Sequence, residues 1–230
     1  MIALPLLFFL LFHFQQNEPL KVYEARKLSD SLIIDGLDQD EVWSEAVVLT
    51  DFKLYWSDDI AQPTSFRAFW TNDQFYFLYN VIDDNIVPPT VTEDRGTIPT
   101  DRIEVFLQSN GTMNPYYCLE MGAEANTLAY VARHYRDFDY DWIWPENSFE
   151  VKASKTEDGY IVEGRISMES LRNLGVLQNE NMMRVGLFRG DYFREPGKKS
   201  GVRWISWVDP QTKNPDFHVP SAFGQITLVQ

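Results

Sequence analysis

TSFRAFWTNDQFYFLYNVI, running from Thr64 to Ile82, reads as two β-strands joined by a tight polar turn. Thr64–Trp70 and Gln74–Ile82 are rich in aromatic and β-branched residues, and Thr71, Asn72 and Asp73 between them are turn formers, the pattern of a β-hairpin. Further along, Asp101–Gln108 (DRIEVFLQ) sets Ile103, Val105 and Leu107 against Arg102, Glu104 and Phe106. A period of two puts those two sets on opposite faces of one strand. Asn110-Gly111 marks the turn that follows.

The same punctuation recurs on either side. Leu20–Ala25 and Leu32–Asp35 open the series, and Pro115–Gly122 and Ala125–Arg133 read as the next pair. Phe149–Lys155 and Gly159–Ile166 form another pair around Glu157-Asp158-Gly159. Met168–Leu174 is the one helical stretch, ended by Gly175. Arg184–Arg189, Val202–Val208 and Gln225–Val229 complete the strand set. Short strands, hairpin turns and a single helix predict an all-β fold: an antiparallel two-sheet β-sandwich, immunoglobulin-like or jelly-roll-like, with a barrel as the structural alternative. No Gly-, Ser- or Pro-rich linker divides the chain, so residues 20–230 are expected to form one domain.

Ahead of that domain, Ile2–Phe14 (IALPLLFFLLFHF) is too short to cross a bilayer and fits the apolar core of a signal peptide over residues 1–19. No Lys or Arg precedes it and no A-x-A site follows it. The expected location is therefore secreted, periplasmic or on the cell surface. Cys118 is the sole cysteine, so no internal disulfide can form. A net charge of −14 repels phosphate backbones and argues against nucleic acid and anionic membranes as partners, while it suits a neutral ligand or a cation.

Five patterns occur in an order that resembles the family 9 carbohydrate-binding modules: IDGLDQDEVW from Ile34 to Trp43, FRAFWTNDQFYF leading to Val81-Ile82-Asp83-Asp84, DRIEVFLQ, GYIVEGRISMESL, and the tail Trp207-Val208-Asp209-Pro210 with NPDFHVPSAFGQITL. Together they run from about Leu32 to Gln230. The resemblance implies a non-catalytic β-sandwich with a stabilising metal, often Ca2+, and a slot that grips the end of a glucan or xylan chain between two aromatic rings. Mapped onto this sequence, those rings would be Trp70 and Phe217, with His218 at a position that varies in the family.

The physical case for such a site is direct. A pyranose shows C–H groups on its faces and hydroxyls on its rim, so aromatic rings cover the faces and polar side chains satisfy the rim. Asn72 and Asp73 flank Trp70, and Asp216 and His218 flank Phe217, as candidate rim groups. Phe138, Tyr140, Trp142 and Trp144 recur at period two, with Asp139, Asp141 and Ile143 between them, either as a strand facing the core or as a loop extending the binding surface; Trp144 is taken as a candidate contact. Glu120 and Arg189 are candidates to project from strands toward the slot. Trp43, Trp204 and Trp207 are read as core or structural. For Ca2+, the acidic groups at Asp35 and Asp38 (with Asp40 and Glu41) and at Asp83 and Asp84 (with Asp101) are candidate oxygen donors, though neither has EF-hand spacing.

The expected partners are an oligosaccharide or polysaccharide and a glycoside hydrolase encoded separately, with the module itself a monomer. Two other classes compete. One is a haem-binding electron-transfer module of a related sandwich, drawing on Met113, Met121, Met182, Met183, His134 and His218; it predicts a Soret band. The other is a glycoside hydrolase carrying its own pair of acids; it predicts release of reducing sugars.

Overall fold

The computed structural model describes residues 19–89, 100–194 and 200–230. Of the expected leader, residues 1–19, all but Pro19 lie outside them. Twelve strands and one helix follow in order: β1 (Val22–Lys27), β2 (Thr64–Trp70), β3 (Gln74–Ile82), β4 (Arg102–Ser109), β5 (Thr112–Gly122), β6 (Thr127–Arg133), β7 (Asp137–Asp139), β8 (Phe149–Lys155), β9 (Gly159–Ser167), α1 (Met168–Asn173), β10 (Met182–Phe193), β11 (Gly201–Ser206) and β12 (Gly224–Val229).

The opening hairpin forms as expected. β2 and β3 pair antiparallel from Thr64↔Val81 to Trp70↔Phe75. The Thr71 hydroxyl accepts from the Asp73 and Gln74 amides, which fixes the turn. Asn110 and Gly111, at φ 51° and 67°, make the tight connection between β4 and β5. Ser167 caps α1 by accepting from the Ser170 amide, and Gly175, at φ 68°, follows its end.

The all-β expectation is met, but hydrogen bonding runs unbroken through one curled, mixed sheet in the order β7-β6-β5-β4-β10-β12-β1-β2-β3-β9-β8, with β11 added to β10. β1 is the reason. It lies parallel to both β12 and β2 and so stitches together two otherwise antiparallel wings. Pairing between the first and last strands leaves no local mark in sequence, because register is set by which faces are buried in the folded chain. Inside the curl, β2, β3 and β9 contribute Phe66, Phe77, Tyr79 and Val162 to the same core as Ile103, Val105 and Leu107 of β4.

Leu32–Asp35 is not a strand. The chain bends at Gly36 (φ 84°), where the Asp35 and Gly36 amides both donate to Glu163 Oε2 at 2.9 Å. The Trp43 indole N–H donates to the other oxygen of the same carboxylate at 3.1 Å. Those amides are satisfied by a side chain rather than by a neighbouring strand.

Period two along β4 delivers Ile103, Val105 and Leu107 to the core and leaves Arg102, Glu104 and Phe106 facing outward. That outer face is also covered. Phe106, Tyr116, Cys118, Tyr130, Phe188, Phe217 and Phe223 form a second, smaller cluster there, roofed by the β6–β7 hairpin and the loop before β12.

Candidate ligand-binding cavity

The outer face of β4, β5 and β6 floors a cavity of ≈ 220 Å3, walled by Phe138, Tyr140, Trp204 and residues 215–218. Its polar floor follows from register. Glu104 sits directly opposite Glu120 across the β4–β5 ladder, an unfavourable juxtaposition of like charges. Arg102, two residues along the same face, resolves it: Nε lies 2.9 Å from Glu104 Oε1 and 2.7 Å from Glu120 Oε2. Its Nη1 donates to the Tyr192 hydroxyl at 3.0 Å, and its guanidinium lies over the Tyr192 and Trp204 rings at 5.4 and 5.5 Å. Tyr130 donates to Glu120 Oε1 at 3.0 Å.

Burial, and then the facing Glu120 carboxylate, push the Glu104 carboxyl upward, with Arg102 pulling the other way. A carboxyl held toward its neutral form donates as well as accepts, so the floor presents both kinds of hydrogen-bonding group. On the wall, Arg136 pairs with Asp216 at 2.8 Å, and Tyr135 donates to the other Asp216 oxygen at 2.7 Å. His218 stacks on Phe106 and lies 2.9 Å from the Tyr116 hydroxyl through Nδ1. Burial, and then the Arg136 charge, lower its pKa to about 4, so the imidazole is neutral at pH 7. Cations and carboxylates thus nearly cancel within the cavity. That environment suits a neutral ligand rich in hydroxyls, and the volume lies below the ~300 Å3 at which clefts for drug-sized ligands begin.

Of the candidates named from sequence, the fold brings Phe217, His218, Asp216 and Glu120 together here. Trp70 goes elsewhere: it belongs to the main core, is 8% exposed, donates through its indole N–H to the Val229 carbonyl at 2.9 Å, and carries Lys27 over its ring. It therefore does not face Phe217. Phe217 is itself 6% exposed and stacked on Phe188 at 4.0 Å and 8°, which covers one of its faces. Asn72 and Asp73 line a separate polar groove with Lys27, Ser29 and Gln230. Trp144 packs against Tyr117, Trp142 and Phe149.

Arg189 is fully buried, bound to Asp83 Oδ2 at 2.9 Å and to the Thr64 hydroxyl at 3.1 Å. Sequence reasoning passed over Arg102 and Glu104 as sites and placed Trp204 in the core. The usable signal was the second face of DRIEVFLQ, which carries an Arg and a Glu at period two beside Phe106.

The four proposed calcium ligands do not converge. Asp35 accepts from the Leu37 amide, Asp38 from Asn80, and Asp84 from Gln62. Asp83 instead joins Asp101 and Asp191 in a buried cluster. There every carboxylate oxygen faces an N–H group. Asp83 meets the Asn85 amide and Arg189, and Asp101 meets the Val87 and Tyr192 amides. Asp191 meets Arg203, whose Nε lies 2.8 Å from Oδ2 as an ion pair too poorly aligned for a hydrogen bond. Calcium needs six to eight oxygens. Among the described residues, two guanidinium groups hold this position, so the donor set does not fit the ion.

A curved β-domain with a small, aromatic-walled, nearly charge-balanced cavity has the form of a ligand-binding module. The chain belongs to the carbohydrate family 9 binding domain-like family, whose model matches residues 34–230; it is a carbohydrate-binding module. It is 26% identical over 196 residues to exoglucanase XynX of Acetivibrio thermocellus, a match that covers 85% of this chain and 16% of that enzyme. The chain therefore spans about a sixth of the length of this curated relative. A crystal structure of a Bacteroides uniformis protein superposes with a TM-score of 0.72 at 15% identity, covering 91% of this chain and 99% of that one. A family 9 carbohydrate-binding module of Caldicellulosiruptor kristjanssonii, in complex with cellotriose, superposes at 0.61 and 18% identity, covering 91% and 94%.

Proposed function

We propose that the cavity over β4 and β5 takes a single residue of a neutral β-glycan, and that the module delivers a polysaccharide-degrading enzyme to its substrate outside the cytoplasm. The observation that carries this reading is the Arg102–Glu104–Glu120 constellation beneath aromatic walls. It supplies in-plane donors and acceptors for ring hydroxyls together with apolar surface for a ring face. The cellotriose held by the Caldicellulosiruptor module and the enzyme context of the Acetivibrio relative support the choice of ligand and partner. The apolar run Ile2–Phe14 supports export.

Glu104 and Glu120 project from the same face of adjacent strands and share one guanidinium, so they do not flank a glycosidic bond as a hydrolytic pair does. Met113, Met121 and Met183 are packed in the cores, and no methionine lines the cavity among the described residues, which gives haem ligation no support. The test is calorimetry with cellotriose and with glucose. Trp204→Ala is expected to weaken binding at least about tenfold, the loss of roughly 1.4 kcal/mol typical of a ring in a binding site. Unchanged affinity removes the cavity from the reading.

A further inference from the structure

We propose that a second cleft, on the other side of the loop that precedes β12, binds the carboxylate of an acidic sugar: a uronate. The cleft measures ≈ 580 Å3, and three cationic side chains, Lys21, Lys53 and Arg184, line it against one carboxylate, Asp209. That excess is unusual in a chain with 34 acidic and 20 basic residues. Lys21 is already neutralised by Asp51 at 2.6 Å. Among the described residues, the other two cations have no carboxylate partner. Arg184 is partly buried and makes one side-chain hydrogen bond, from Nη2 to the Phe223 carbonyl at 3.1 Å. Lys53 is exposed and, among the described residues, pairs with Ser206 through its backbone alone. A guanidinium held part-way out of water without a counter-ion gains strongly from an arriving carboxylate, which its planar fork accepts in two parallel bonds. Burial alone lowers the Arg184 pKa, in keeping with that missing partner.

The rest of the lining selects among anions. Tyr55 and Ser221 offer hydroxyls, while Val208 and Phe223 offer apolar surface. A compact inorganic anion would use the charges and nothing else. A uronate ring would meet all three kinds of group: carboxylate on Arg184 and Lys53, hydroxyls on the polar side chains, ring face on the apolar strip. Residues 209–223 contribute to both clefts, so one polysaccharide carrying neutral and acidic residues has a grip for each.

The inference rests on the glycan-binding reading only for choosing a sugar as the frame of the anion, and the experiment separates the two. Titrations follow D-glucuronate, glucose and acetate by NMR and calorimetry, using the whole chain. Wild type is expected to bind glucuronate, more weakly as salt rises from about 0.02 to 0.3 M. Lys53→Ala with Arg184→Met is expected to weaken glucuronate at least about tenfold and to leave glucose unchanged. Trp204→Ala is expected to do the reverse. Lys53→Ala alone alters an exposed side chain in a folded protein and is expected to give a smaller loss in the same direction. Equal glucuronate affinity in the double variant and wild type, or no glucuronate binding, overturns the second site while leaving the first intact. Acetate bound as tightly as glucuronate also overturns it, since the sugar would then contribute nothing. Glucuronate binding without any neutral-sugar binding instead sinks the reading of the first cavity.

Discussion

Replacing Arg102 by Met tests the floor of the cavity most directly. The substitution keeps an unbranched stem of similar length and removes one charge shared by two carboxylates. Glu104 and Glu120 are 3% and 6% exposed at their side chains and lie 2.9 and 2.7 Å from Arg102 Nε, so solvent cannot take over its role. Removing one partner from a buried ion pair costs about 3–5 kcal/mol, mostly because the other charge is left buried and alone. At roughly 2–4 °C per kcal/mol for a domain of this size, the melting temperature should fall by about 6–20 °C. Urea unfolding at pH 7, followed by tryptophan fluorescence, measures the loss. Adding Glu104→Gln and Glu120→Gln to the same variant removes the repulsion and lets the two amides pair across the ladder, so most of the stability should return. Sugar affinity should not return, because the charge-assisted donors are gone. A loss below about 1 kcal/mol in the single variant, or a triple variant no more stable than the single one, would refute the reasoning, since burial would then not be what makes Arg102 matter.

Three further outcomes are expected. The His218 pKa is lowered from 6.5 to about 4 in the folded protein, so the unfolded chain binds more protons between those values and stability falls as pH drops from 6.5 to 4, by about 3 kcal/mol in all; pH-dependent urea titrations of His218→Gln should show that slope removed. Trp70→Phe deletes the hydrogen bond to the Val229 carbonyl and should cost about 1 kcal/mol of stability with cellotriose affinity unchanged; a marked loss of affinity would return Trp70 to the site. With Arg189 and Arg203 bound to the Asp83–Asp101–Asp191 cluster, calcium or a chelator should move the melting temperature by less than about 2 °C, and a large rise with calcium would show that the cluster does take the ion.

Local chemistry in the sequence determined most of the strands, because each depends on neighbours: the aromatic run of β2 and β3 around Thr71–Asp73, the Asn110-Gly111 turn, and the Ser167 cap on α1. The two faces of β4 were legible for the same reason, since alternation is a property of six consecutive residues. What the outer face meets was not. Glu104 comes to lie against Glu120, and Trp204 against Arg102, only because β4 pairs with β5 and with β10, which in turn pairs with β11. Trp70 shows the converse. Its neighbours in sequence look like a binding loop, but β12, the last strand of the chain, supplies the carbonyl that draws its indole inward. Side-chain direction is written in the local period, whereas the partner waiting on each face is set by pairing between strands far apart in sequence, and that is fixed only when the whole sheet closes over its core.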